Sequence, residues 1–220
     1  MNWETYAALG DSITIGARTY LGYPEAAGNI LSAHLSKQWN VINHSVCGYK
    51  AIDLARHIDR HFCMLKECNP SVTTILIGTN DIKEHTSPEE YRMALDQVIV
   101  KARLFTMNEN VVLLTIPHFP KGVCYPYRME MNEDIVKLNA EVRLLAAQHH
   151  SRLLELSHDE ADFTDGVHLS NKGVRTFAQQ VSAFILNDKG VLLESGVAAA
   201  GGNAQGFPQG IVVSVAGMVE

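Results

Sequence analysis

Residues 6–16, YAALGDSITIG, decide how the rest of the chain is read. Tyr6-Ala7-Ala8-Leu9 is a short apolar run with the character of a buried strand, and Gly10 breaks it. Asp11, Ser12 and Thr14 then put three polar side chains where an apolar element would continue. A first strand that ends on glycine and delivers a serine to a bend needs a reason.

Apolar runs recur at residues 41–43, 72–78, 111–116 and 153–156. Between them lie helical patterns at about 24–38, 51–66, 87–105, 133–149 and 170–187. The second carries Ile52, Leu54, Ala55, Ile58, Phe62 and Leu65 at helical spacing. The third opens on Ser87-Pro88-Glu89-Glu90, with a capping serine, a proline suited to the first turn and acids at the positive end of the dipole. Strands alternating with helices mean parallel crossovers and a sheet covered on both faces. The expected fold is α/β, a three-layer α/β/α sandwich on a five-stranded parallel sheet.

The bulk numbers set limits. A chain of 220 residues, 46% hydrophobic and 19% charged, can build one sizeable core and is not of disordered composition. A net charge of −6 and a pI near 5.9 argue against a nucleic-acid partner, which would need a basic patch. The first residues lack a secretory pattern, and runs such as VVLLTI (111–116) are too short to span a bilayer. Cysteines 47, 63, 68 and 124 form no CxxC pair. These features lead us to expect a cytoplasmic globular domain over residues 1–188. Residues 189–220 form a Gly/Ala-rich tail whose IVVSVAGMV (211–219) reads as one more strand, able to extend a neighbouring chain's sheet in a homo-oligomer.

In an open parallel sheet, ligands bind beyond the carboxyl ends of the strands, near the point where strand order reverses. Gly10-Asp11-Ser12 follows the first strand, and NHSVCG (43–48) follows the second. GTND (78–81) follows the third, and DGVH (165–168) comes after the fifth, past a polar loop. A serine, a glycine turn, an asparagine and an Asp/His pair should therefore face one crevice. Acyl transfer needs such parts: a nucleophile, a base, a carboxylate to orient the base, and oxyanion donors.

With these blocks, ALGDSIT, NHSVCG, GTND and DGVH, in this order, the sequence resembles the SGNH or GDSL hydrolases. The resemblance implies a flavodoxin-like sandwich and a carboxylic ester hydrolase. It implies Ser12 as nucleophile, His168 as general base and Asp165 as the group that holds the imidazole. It further implies oxyanion donors from the backbone of Ser12 and Gly48 and the side chain of Asn80, a small acyl ester as substrate, and no metal or organic cofactor. The GxSxG elbow of other α/β hydrolases is absent. A short-chain carboxylesterase and a carbohydrate O-deacetylase both fit. A non-catalytic binding or assembly module is the reading from another class, and a nucleotide-binding one lacks GxGxxG.

Three features remain. Asp11 reads as a turn-organising residue. His57 and His61, one helical turn apart near Cys63 and Cys68, match no common zinc spacing and read as a solvated helix face. PHFPKGVCYPYRMEM (117–131) is long enough to be functional and reads as a wall or lid over the crevice.

Overall fold

The apolar runs become strands because each has two faces to bury. In β1 (Trp3–Gly10), Tyr6 and Ala8 pack with Leu31 and Phe177, while Leu9 packs on the opposite side with Leu54 and Ile58. In β4 (Val111–Leu114), Val112 and Leu114 go one way, and Val111 and Leu113 the other. This period of two explains why the runs read as continuously apolar rather than alternating. The computed structural model describes residues 3–188, so the strand expected at 211–219 lies outside the described residues.

The five strands are parallel and lie in the order β2-β1-β3-β4-β5, with β2 at Gln38–Asn43, β3 at Val72–Leu76 and β5 at Arg152–Leu154. Helices α2 (Tyr23–Leu35) and α7 (Asn171–Asp188) cover one face. The other is covered by α3 (Ala51–Cys68), α5 (Pro88–Ala102) and α6 (Asn132–His149). The expected three-layer sandwich is the one observed. No helix among the described residues is long and apolar enough to cross a membrane.

Strand ends differ from the sequence reading where side chains take over from the ladder. β4 stops at Leu114, short of Ile116, whose N–H donates to Asn139 Oδ1 at 2.8 Å and whose carbonyl accepts from Asn139 Nδ2 at 2.9 Å. Two short helices, α1 (Ser12–Ile15) and α4 (Thr79–Lys83), begin just past β1 and β3. One turn of helix is too short for periodicity to reveal.

The strand order reverses at β1, with β2 on one side and β3 on the other, so the crevice is centred on the end of β1. β5 lies at the far edge of the sheet. The chain after it must cross back before entering α7, which packs on α2 through contacts such as Tyr23 against Phe177, ring centroids 5.9 Å apart.

Gly10 makes the exit from β1 possible. A Cβ there would lie 2.3 Å from the backbone oxygen of Leu76 and 2.3 Å from Thr14 Oγ1. The close fold of α1 against β1 and β3 therefore requires glycine. Gly10→Ala should lower unfolding free energy by about 1–3 kcal/mol, the usual consequence of overpacking. Chemical denaturation measures this, and an unchanged midpoint would show that α1 has room to move.

Candidate active site

Asp11 closes the bend after β1. Its Oδ1 accepts from the Ile13 N–H at 3.0 Å, capping α1, and the residue is fully buried. Ser12 follows as the first residue of α1, 8% exposed. Asp11 thus organises the turn, as its residue type suggests at a bend.

DGVH forms a compact loop around one carboxylate. Asp165 Oδ1 accepts from the backbone N–H groups of Val167 (3.0 Å) and His168 (2.8 Å), and Oδ2 lies 2.8 Å from His168 Nδ1. Partial burial raises the Asp165 pKa, but the ring and backbone bonds outweigh it and hold the carboxyl below its usual range. The other ring nitrogen, His168 Nε2, is 3.1 Å from Ser12 Oγ. Asp165, His168 and Ser12 therefore form one continuous hydrogen-bonded line.

On the other side of Ser12, the loop after β2 is drawn toward β1 by Val46 N–H donating to the Gly10 carbonyl at 3.1 Å. Gly48 turns this loop at φ 82°, a left-handed conformation that favours glycine, and an added Cβ would meet no protein atom within 4 Å. Asn80, 5% exposed in α4, donates from Nδ2 to the Tyr49 carbonyl at 3.0 Å. Its Oδ1 accepts from the Tyr127 hydroxyl at 3.3 Å. That pairing fixes the sense of the amide, with NH₂ turned toward the Gly48 loop and a second N–H to spare.

Two groups here were not singled out from sequence. Asp81 Oδ2 accepts from the Ala51 N–H at 2.9 Å, fastening the start of α3 to α4. Tyr127 belongs to the 117–131 loop, which is anchored at both ends of the crevice: at Asn80 through Tyr127, and at Asp165, whose carbonyl accepts from the Cys124 N–H at 3.0 Å. Phe119, pinned to Asn132 by bonds of 2.7 and 2.9 Å, stacks near Tyr127 at 5.0 Å. The loop thus borders this side of the crevice, bonded to both Asn80 and Asp165.

A cavity of about 420 Å³ opens elsewhere, ringed by Glu4, Trp39, Ser71, Val72, Asn110 and Arg152. These residues mark the amino-terminal ends of the strands, opposite the end where an open parallel sheet binds ligands. Size alone does not make it the site, because Ser12, Asn80 and His168 converge at the other end.

Residues 8–176 match the model of the GDSL-like Lipase/Acylhydrolase family, and the chain belongs to that family. It is a carboxylic ester hydrolase. The fold is similar to that of a lipase/acylhydrolase from Enterococcus faecalis, at 20% identity and TM-score 0.70, covering 84% of this chain and 96% of that one. It is also similar to a variant of an acetyl xylan esterase from Geobacillus stearothermophilus, at 19% identity and TM-score 0.65, covering 85% and 94%. A psychrotrophic esterase from Pseudoalteromonas, at 15% identity and TM-score 0.66, covers 85% and 99%. No curated protein sequence matches the chain.

The buried acids beneath the crevice carry a pH signature. Burial, helped by the nearby Asp81 charge, pushes Asp11 up to about 7. Burial likewise pushes Asp81 up to about 6. Both pKa values are raised on folding, so their contribution to stability is complete below about pH 4 and is lost as pH rises toward 7. Asp11→Asn keeps a capping oxygen but removes the titration. Relative to wild type, the variant should gain stability as pH rises from 4 to 8. Thermal unfolding across that range measures it, and parallel curves for the two proteins would show that Asp11 does not titrate there.

Proposed function

We propose that the chain hydrolyses short-chain acyl esters with Ser12 as nucleophile, His168 as general base and Asp165 as the group that orients and stabilises the imidazole. The observation that carries this reading is the 3.1 Å separation of Ser12 Oγ from His168 Nε2, with Asp165 at 2.8 Å on the other ring nitrogen. In the first half-reaction, Ser12 Oγ bonds to the ester carbonyl carbon while its proton passes to His168 Nε2. The tetrahedral intermediate collapses as the carbon–alkoxy bond breaks, and the alcohol leaves with that proton. In the second, His168 takes a proton from water, the hydroxyl attacks the acyl-enzyme, and the acid departs as Ser12 regains its hydrogen.

The oxyanion would be held by the backbone N–H groups of Ser12 and Gly48 and by Asn80 Nδ2. Support comes from the Gly48 turn, which leaves space beside its backbone, and from the fixed sense of the Asn80 amide. The preference for short acyl groups rests on the wall formed by the 117–131 loop, whose anchors at Asn80 and Asp165 limit how far it can swing aside. Acetyl esters of sugars fall within the same size class. Nitrophenyl esters from acetate upward, run beside an acetylated xylan, separate a general short-chain esterase from a carbohydrate deacetylase.

Two experiments test the chemistry. A serine-reactive phosphonate should add to Ser12 alone, as read by peptide mapping, and Ser12→Ala should abolish both labelling and turnover. Labelling at another serine would overturn the assignment. Asn80→Ala should lower kcat by about 10²–10³, as loss of one oxyanion donor does in other enzymes. Tyr127→Phe should lower it by a smaller factor, since the amide donor remains and only its orientation is freed. Equal effects, or none, would return Asn80 to a structural role.

A further inference from the structure

The sequence places His57 and His61 on one helix face, and the structure adds a third ring to them. His44, on the loop after β2, enters the space beside α3, so the three rings form a triangle. Ring centroids are 4.4 Å apart for His44–His57, 4.6 Å for His44–His61 and 4.4 Å for His57–His61. His57 is partly buried, which corrects the expectation of a solvated helix face. The physical reason is the fold of the 44–50 loop, which lays His44 and Tyr49 against α3.

We propose that His44, His57 and His61 bind one divalent late-transition-metal ion of the zinc class, which ties the Gly48-bearing loop to helix α3. One ligand nitrogen from each ring lies within 4.8 Å of the others. Zinc–nitrogen bonds of about 2.0–2.1 Å in tetrahedral array put donor nitrogens roughly 3.3 Å apart. Small rotations of partly exposed side chains cover the difference. His57 and His61 stand one turn apart on α3, a spacing that suits two ligands to one ion.

Two independent features favour an ion over simple ring packing. Nε2 of His44 and Nε2 of His57 are both buried without a hydrogen-bond partner, a state that polar atoms seldom keep. A metal would satisfy both. The remaining nitrogen of His57, Nδ1, lies 3.4 Å from the Tyr49 hydroxyl, which leaves Nε2 free to ligate while its ring is steadied from behind.

Neutral imidazole is the form that binds metal. Imidazole donors suit zinc, copper and nickel, and three of them leave one position for water.

The site stands apart from the proposed triad, and its consequence is mechanical. Residues 44–50 hold Gly48, and the Tyr49 carbonyl receives the Asn80 amide. An ion on His44 would fix the start of that loop to α3.

The test uses tag-free, full-length protein stripped with a chelator, so that no added histidines compete. Zn²⁺ is titrated against a chromophoric chelator, and Co²⁺ is followed by visible absorption. The proposal expects one Zn²⁺ per chain with micromolar or tighter affinity, weakened at least about tenfold by His44→Ala, His57→Ala or His61→Ala. Co²⁺ should show the ligand-field bands of a low-coordinate ion, lost in His61→Ala. Zn²⁺ should also raise the thermal midpoint of wild type and not of His61→Ala. His61→Ala removes a partly exposed side chain and decides the matter if the other two variants fail to fold. Cys63→Ser/Cys68→Ser should bind as wild type does. Wild-type affinity weaker than about 1 mM, undiminished binding in His61→Ala, or loss of binding in the cysteine variant would overturn the proposal.

Discussion

A 3.1 Å contact joins Ser12 to His168 across 156 positions of sequence, and much of the fold serves to make it. Ser12 leaves the central strand of the sheet, whereas β5, the last strand before His168, is an edge. The chain from residue 155 to 168 must therefore run back across the carboxyl ends of the strands. What holds it there is the packing that follows, because α7 buries Phe177, Val181 and Ile185 against the α2 side of the sheet. The imidazole is thus positioned by a hydrophobic layer that begins only a few residues after it. Weakening that layer would loosen the serine–histidine contact without touching either residue.

The opposite side of the crevice is built from cross-ties between loops that follow adjacent strands. The loop after β2 is tied to β1 through Val46 and to α4 through Tyr49 and Ala51, which meet Asn80 and Asp81. The loop after β4 is tied to Asn80 through Tyr127 and to Asp165 through Cys124. Each polar residue beyond a strand end is thus braced by a neighbouring loop as well as by its own strand. Loops alone are mobile, and such cross-bonds let them hold side chains within hydrogen-bonding tolerance.

The layered fold was legible because its signal is long and redundant. Apolar runs separated by amphipathic stretches allow few arrangements, and the run at 111–116 reads as a buried strand, of which 111–114 form the strand observed. Ser12, Gly48 and Asn80 stood out because each follows closely on the end of a strand, so position and residue type agreed, whereas Asp165 and His168 stood out as an Asp/His pair past the loop that follows β5. The helical turns α1 and α4 were not legible, since four or five residues carry no period. Nor was the role of Tyr127, one aromatic among several in a loop, whose partner Asn80 lies 47 positions away. The histidine triangle failed for a similar reason. His57 and His61 announce each other by spacing, but His44 joins them only through the tertiary path of a loop.

Asp11 and Asp81 show how the same packing sets the electrostatics under the crevice. Both acids are nearly fully buried, and each uses an oxygen to accept a backbone N–H that would otherwise be unpaired, Ile13 for one and Ala51 for the other. Burial, joined at Asp11 by the nearby Asp81 charge, disfavours ionisation, so both acids keep protons to a higher pH than free carboxylates do. Asp165, by contrast, accepts three hydrogen bonds at a more open position and stays ionised. One carboxylate beside the imidazole is kept charged, while the two below the serine and asparagine loops resist charge. In the proposed reaction, the imidazolium that forms on His168 would be stabilised by the Asp165 carboxylate, which its hydrogen bonds to the ring and to the backbone keep charged against the effect of its own partial burial.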